Sequence, residues 1–185
     1  MALIESTMLE LGTIAPDFAL PDVVTGQIVR RDDFLGKKAL LVVFICPHCP
    51  YVKHMELNLG ELSRLYAAKP LAIVAINSND AKAYPADDPL GMAEQAQNNN
   101  FGFPYLYDET QQVAKAFHAV CTPDVFLFDK DFRLVYRGEW DSSRPGNGIP
   151  VSGENVRFSI DLTIAGHQVP DDQRAGIGCS IKWKS

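Results

Sequence analysis

Apolar residues run without a break over 40–45 and again over 71–76, and both runs are rich in branched side chains. Runs of this kind fit central strands buried on both faces. Between them Val52, Met55, Leu59, Leu62 and Tyr66 recur at steps of three and four, which predicts a helix over 50–68 with one apolar face. Pro50 suits its first turn, where a missing N–H costs little. Residues 90–99 and 110–117 read as shorter helices, the first stopping in the Asn98-Asn99-Asn100 run, with a short strand over 105–107 between them. The strongest hairpin signal is 125–128, the turn Asp129-Lys130-Asp131, and 133–137. Upstream, the extended stretch 15–22, the turn Thr25-Gly26-Gln27 and the pair Ile28-Val29 predict an N-terminal β-hairpin. The Gly, Pro and Ser residues of 141–153 mark a long surface loop, and 154–165 is a closing helix.

In chain order these elements read β, β, α, β, α, β, α, β, β, α. Parallel pairings through crossover helices come first, and an antiparallel hairpin and a terminal helix follow. The expected fold is α/β, a mixed central sheet flanked by helices, with the hairpin as an N-terminal extension. One domain is expected over 1–168, and 169–185, which has no periodicity, is expected to be an irregular C-terminal tail.

Composition narrows the function classes. The 185 residues carry a formal net charge of −6, and no run of Lys or Arg exceeds the pairs Arg30-Arg31 and Lys37-Lys38. That leaves no electrostatic footprint for nucleic acid. No stretch approaches the roughly 20 apolar residues of a membrane span. The first 12 residues do not have the form of a secretory signal, so a reducing, cytoplasmic setting is expected. Four cysteines in a chain of this length do not make a disulfide framework, and a disulfide would be transient and chemical.

The chemistry concentrates at Cys46-Pro47-His48-Cys49, where the apolar run 40–45 gives way to the predicted helix. Two thiols a helical turn apart, at a helix start, gain from free backbone N–H groups and the positive end of the helix dipole, which favour thiolate. Zinc would want a second pair of ligands at close spacing, and no second C-x-x-C or H-x-x-x-H occurs. The expectation is therefore disulfide exchange, with Cys46 at the exposed helix end as the attacking thiolate and Cys49 as the resolving thiol. A free thiol has a pKa of about 8.5, and His48 between the sulfurs is expected to lower that of Cys46.

The run 41–49, followed about seventy residues later by Cys121-Thr122-Pro123 and Val125-Phe126-Leu127-Phe128-Asp129, resembles the thioredoxin superfamily over residues 12–168. The resemblance implies a thioredoxin-like fold, a cis proline at Pro123 beside the dithiol, and Thr122 at the substrate groove. The opening Gly12-Thr13-Ile14-Ala15-Pro16-Asp17-Phe18-Ala19-Leu20-Pro21 is similar to the alkyl-hydroperoxide-reductase and thiol-specific-antioxidant branch, nearest its peroxiredoxin-like group with a C-x-x-C motif. That branch suggests a rival, a thiol peroxidase with Cys49-Pro50 as its peroxidatic step and Cys46 as the resolving thiol. Val42, Cys46 and Pro123 stand where such a peroxidase would carry Pro, Thr and Arg, so peroxide would be poorly held. Where thioredoxins carry a tryptophan and a buried acid, this chain has Ile45 and Leu40, which leaves the proton acceptor open. Pro47-His48 matches Dsb-type oxidants and suggests a couple less reducing than thioredoxin.

The remaining candidates are auxiliary. Cys121 would lie near the dithiol as a third exchange partner or a small core residue, and a mobile Cys179 would return to Cys46 or cross to another subunit. His54 is expected on the solvated side of its helix. His118 and His167, beside helix ends, are assigned no site. The aromatics Phe101, Phe103, Tyr105 and Tyr107 alternate as core residues, while Asp87 and Asp88, with Glu94 nearby, read as a solvated loop face. The expected partners are a disulfide-containing protein or small molecule and an external dithiol reductant, with no cofactor, metal, nucleic acid or membrane. A second rival is a thiolate metal-binding module built on Cys46, Cys49 and a histidine or Cys121, since soft thiolates suit Cu(I) and Zn(II).

Overall fold

The structure is a computed structural model that describes residues 3–184. Its strands and helices follow in the order β1 (Leu3–Glu5), β2 (Ala19–Pro21), β3 (Ile28–Arg30), β4 (Ala39–Phe44), α1 (Pro50–Leu65), β5 (Leu71–Asn77) and α2 (Pro89–Asn98). Then come β6 (Tyr105–Tyr107), α3 (Gln112–Ala116), β7 (Cys121–Thr122), β8 (Asp124–Asp129), β9 (Leu134–Tyr136), α4 (Glu154–Ala165) and β10 (Ile177–Ser180). The main sheet has the order β6-β5-β4-β8-β9, with β4, β5 and β6 parallel and β8 and β9 antiparallel. This is the expected mixed sheet, and β2 and β3 form the expected hairpin.

The two apolar runs take the two innermost parallel places because nothing polar interrupts them. All six residues of β4 and all seven of β5 are buried. Alternate residues face opposite sides. Leu41, Val43 and Ile45 pack under α1, α2 and α4, through Val52, Met55, Leu59, Met92, Ala96, Val156 and Ile160. Leu40, Val42 and Phe44 face the other way, onto α3 and the N-terminal segment, where Phe18, Phe117, Phe126 and Phe128 fill the layer. Gly60 lets α1 touch the 99–100 turn, since a Cβ there would lie 2.0 Å from the Asn99 carbonyl oxygen.

One expectation changes and a second gains detail. Residues 169–185 are not irregular throughout: β10 lies between β1 and β7 in a second, three-stranded sheet, pairing Cys179 with both Leu3 and Thr122. Beyond it, Ile181 N–H donates to Val120 O at 2.9 Å, Lys182 N–H to Asn79 Oδ1 at 2.8 Å and Lys184 N–H to Gln111 Oε1 at 2.8 Å. The 141–153 loop, in turn, is held from inside by buried Asp141, which accepts from the N–H groups of Ser143, Ser152 and Gly153 at 2.6–2.8 Å. No helix among the described residues is long and apolar enough to cross a membrane.

Candidate active site

Strand β4 ends at Phe44, a turn carries Cys46 to His48, and Cys49 is the N-cap of α1, with Pro50 in the first turn. Both sulfurs belong to fully buried residues, and neither is in a disulfide. Cys46 is therefore not at an exposed helix end as expected; the Thr122 segment and His48 lie against it. The Thr122–Pro123 peptide is cis, as the resemblance implies. Thr122 touches both thiols, its Oγ1 lying 3.4 Å from Cys46 Sγ and its carbonyl accepting from Cys49 Sγ at 3.1 Å. Pro123 lines a shallow cleft with Tyr51, His54 and Trp140.

A residue read as solvent-facing completes the site. Asp87 is fully buried: its carboxylate accepts from the His48 backbone N–H at 3.1 Å and from Asn79 Nδ2 at 2.8 Å, and it takes the proton of His48 Nδ1 in a short hydrogen bond. Asn77 Nδ2 donates to its backbone carbonyl at 2.8 Å. Three N–H donors on one carboxylate satisfy the ionised form without solvent. The correction has a cause in the sequence, because the polar residues that follow the apolar run 71–76 supply side-chain amides to Asp87, Asn79 to its carboxylate and Asn77 to its backbone carbonyl. Asp88 caps α2 through Gly91 N–H at 2.8 Å, and only Glu94 of the three acids is exposed.

His48 is thus engaged away from Cys46. Its ring stacks on Tyr84 at 5.1 Å, its Nδ1 lies 3.8 Å from Cys46 Sγ, and its Nε2 is buried without a hydrogen-bond partner among the described residues. The one Nδ1 proton goes to Asp87, so the imidazole offers Cys46 no strong donor.

The acidities follow this arrangement and run opposite to expectation. The hydrogen bond with Cys49, burial and the negative charge of Asp87 together push the Cys46 thiol well above its usual range. Cys49 is lowered to about 5, chiefly by the hydrogen bond from Cys46, with Thr122, Cys179 and the Val52 N–H adding to it against the cost of burial. One contact opposes this, since only a neutral Cys49 can donate to the Thr122 carbonyl. The Asp87 charge decides the matter: when two sulfurs share one proton, it stays on the sulfur beside a buried carboxylate. Replacing Asp87 with asparagine should therefore lower the Cys46 pKa and raise the reduction potential of the pair. Thiol-by-thiol alkylation against pH checks this, and an unchanged Cys46 profile would contradict it.

The structure separates the other candidates. Cys179 lies on β10, paired with Thr122, and burial together with the neighbouring Cys49 pushes its thiol up to about 11. It is fixed rather than mobile. Cys121 faces away, its sulfur 3.6 Å from both Ser6 Oγ and the Pro123 carbonyl, and burial raises its pKa strongly. His54 is half-buried, with Nε2 3.1 Å from Ser143 Oγ, and is not on a solvated face. His118 and His167 are exposed. Ligand atoms of Cys46, His48 and Asp87 lie within 4.8 Å of one another, close enough for a metal ion. The protons and amides already on Asp87 account for that closeness.

Comparison with known proteins places this geometry. Residues 11–137 match the model of the AhpC/TSA family. The chain is 29% identical over 127 residues to the thiol-disulfide oxidoreductase ResA of Geobacillus kaustophilus, covering 69% of this chain and 68% of that protein. A crystal structure of an uncharacterized conserved protein from the same species has a TM-score of 0.97 at 51% identity, over 100% of this chain and 97% of that one. The thioredoxin domain of a thiol-disulfide oxidoreductase from Bacteroides vulgatus shares the fold, with a TM-score of 0.56 at 20% identity over 71% of this chain and 91% of that one. With a thioredoxin-like fold and a family match that spans most of its length, the chain belongs to the AhpC/TSA family, the redoxin branch of the thioredoxin superfamily.

Proposed function

We propose that the protein is a thiol–disulfide oxidoreductase that exchanges disulfides through Cys46 and Cys49. The observation that carries this reading is the buried dithiol at the head of α1, bracketed by Thr122 and asymmetrically charged by Asp87. The name of the ResA relative supports the same class of reaction. In the reducing direction, Cys49 thiolate attacks a substrate disulfide. A bond forms between Cys49 and one substrate sulfur, and the other substrate sulfur leaves and takes a proton. Cys46 then attacks Cys49, loses its proton to the leaving substrate thiol, and closes the Cys46–Cys49 disulfide. An external dithiol reopens it. This order of the two sulfurs reverses the expectation from sequence, and Asp87 is the reason.

A trapping experiment tests the order. Cys179 is replaced as well, because its thiol is a neighbour of Cys49. With Cys46→Ser/Cys179→Ser, a mixed disulfide to the substrate should accumulate on Cys49; with Cys49→Ser/Cys179→Ser, none should accumulate. Trapping on Cys46 instead would restore the opposite order.

The same Cys49 thiolate, at an N-cap followed by Pro50, favours a second reading as a thiol peroxidase. There Cys49 takes oxygen from peroxide to become a sulfenic acid, and Cys46 condenses with it to a disulfide and water. Against it, no cation is among the groups that lower the Cys49 pKa, so among the described residues none is seen to stabilise charge on a departing oxygen. Peroxide consumption as fast as disulfide exchange would favour this reading.

A further inference from the structure

The position of Cys179 gives the site a third sulfur. Cys179 pairs directly with Thr122 across β10 and β7, the residue whose carbonyl bonds Cys49. It is buried in the same apolar cluster as Cys46 and Cys49, and its thiol lies near enough to Cys49 for each to shift the acidity of the other. The approach is close enough to need glycine beside it, since a Cβ on Gly178 would lie 2.2 Å from the Thr122 carbonyl oxygen. Both neighbours of the strand fix its register, Leu3 on β1 and Thr122 on β7. Cys49 thus has Cys46 and Cys179 as thiol neighbours that shift its acidity, whereas Cys121 lies against Ser6 and the Pro123 carbonyl instead.

We propose that Cys179 is a third redox thiol, which forms a disulfide with Cys49 in exchange with the Cys46–Cys49 disulfide. The proposal rests on the disulfide-exchange reading above. Cys179 loses its proton and attacks Cys49 Sγ. The Cys179–Cys49 bond forms, the Cys46–Cys49 bond breaks, and its electron pair leaves on Cys46, which takes up a proton beside Asp87. One disulfide and one thiol are present among the three sulfurs before and after the step, so no oxidant is consumed. By the same attack Cys179 releases a substrate held on Cys49 as a mixed disulfide, leaving as a thiol. The protein then has two resolving thiols of different character, Cys46 on the loop held by Asp87 and Cys179 on the C-terminal strand. Burial holds the Cys179 thiol up, so its step should quicken as the pH rises and its thiolate fraction grows.

The test uses Cys46→Ser in the full chain, with dithiobis(nitrobenzoate) as the disulfide. Attack by Cys49 releases one thionitrobenzoate and leaves an adduct, and attack by Cys179 on that adduct releases a second. The expected product carries no adduct, is lighter by two hydrogens and yields a peptide linking Cys49 to Cys179. Cys46→Ser/Cys179→Ser should keep the adduct. A stable adduct on Cys49 in the single variant, or its loss from the double variant, would overturn the proposal. If Cys46→Ser does not fold, oxidised wild-type protein serves instead, quenched in acid and alkylated. A fraction should show Cys46 alkylated and Cys179 blocked, and blocking of Cys46 in every molecule would refute the proposal. Failure of the wild type to reduce any disulfide counts against the proposed function, whereas the linkage in Cys46→Ser is read independently of turnover.

Discussion

Replacing Cys49 with serine is expected to remove disulfide exchange, by on the order of 10⁴-fold or more, as happens when an enzyme loses its nucleophile. The loss has a pH signature. Cys49 is held at about 5, so at neutral pH it is almost wholly thiolate, whereas a free thiol of pKa about 8.5 is ionised to only a few per cent. The wild-type rate of the first attack should therefore be flat above about pH 6 and fall about tenfold per unit well below pH 5, where the thiolate takes up its proton. Stopped-flow exchange with a small aromatic disulfide, followed across pH 4 to 9 as a roughly chosen range, reads this directly. Cys46→Ser should keep the low step, because a hydroxyl replaces the hydrogen bond that lowers Cys49 most. Cys46→Ala lacks the donor and should move the step upward. A rate that climbs through pH 8 in the wild type would mean that the thiolate is not on Cys49. A thiolate this stable also favours the reduced form, so the couple should be less reducing than that of a dithiol with ordinary acidity.

How far the site could be read from the chain depends on which interactions were local. Helix α1 and strands β4 and β5 are legible because each buries its residues in a period that sequence displays, and the Cys-Pro-His-Cys turn is legible because it sits between them. Thr122 and Pro123 became legible only through resemblance, since nothing local ties them to sulfurs 73 and 76 positions earlier. Asp87 was misread for the same reason. A charged residue in a turn-rich stretch is solvated unless donors surround it, and here the donors come from His48 and Asn79, on two other segments. Strand β10 reads Ile-Gly-Cys-Ser, with neither alternation nor a branched run, because it needs a small residue where it passes Thr122 and a thiol where it meets Cys49. The same demands that hide the strand in the sequence put Cys179 in the site. Asn79 joins the two features, with its amide donating to Asp87 and its carbonyl accepting from Lys182 just beyond β10.

The largest effect on stability is expected from Asp124, the residue after the cis proline. Its carboxylate pairs with Arg137, and both side chains are fully buried. Ser6 Oγ donates to it at 2.6 Å and the Val120 N–H at 3.1 Å, while the Arg137 guanidinium also donates to the Val125 carbonyl and lies 3.9 Å over the Phe126 ring. Arg137 Nε and Nη2 have no partner, so Asp124 supplies the only anion to that cation among the described residues. Asp124→Asn keeps the shape and leaves the cation buried and uncompensated. Breaking a buried pair in this way costs about 3–5 kcal/mol, and in a chain of this size each kcal/mol lowers Tm by roughly 2–4 °C. A fall of about 10 °C in Tm is expected by calorimetry. Adding Arg137→Met to Asp124→Asn should recover much of the loss, because it removes the stranded charge and keeps a flexible apolar stem on Phe126. If Asp124→Asn costs less than about 1 kcal/mol, the pair is not what holds this end of β8. If the double variant is no more stable than the single one, the loss came from the Ser6 and Val120 bonds. Strand β8 also carries the register that places Asp124 opposite Phe44, two residues before Cys46. Exchange activity should therefore decline together with stability in the single variant and return with it in the double.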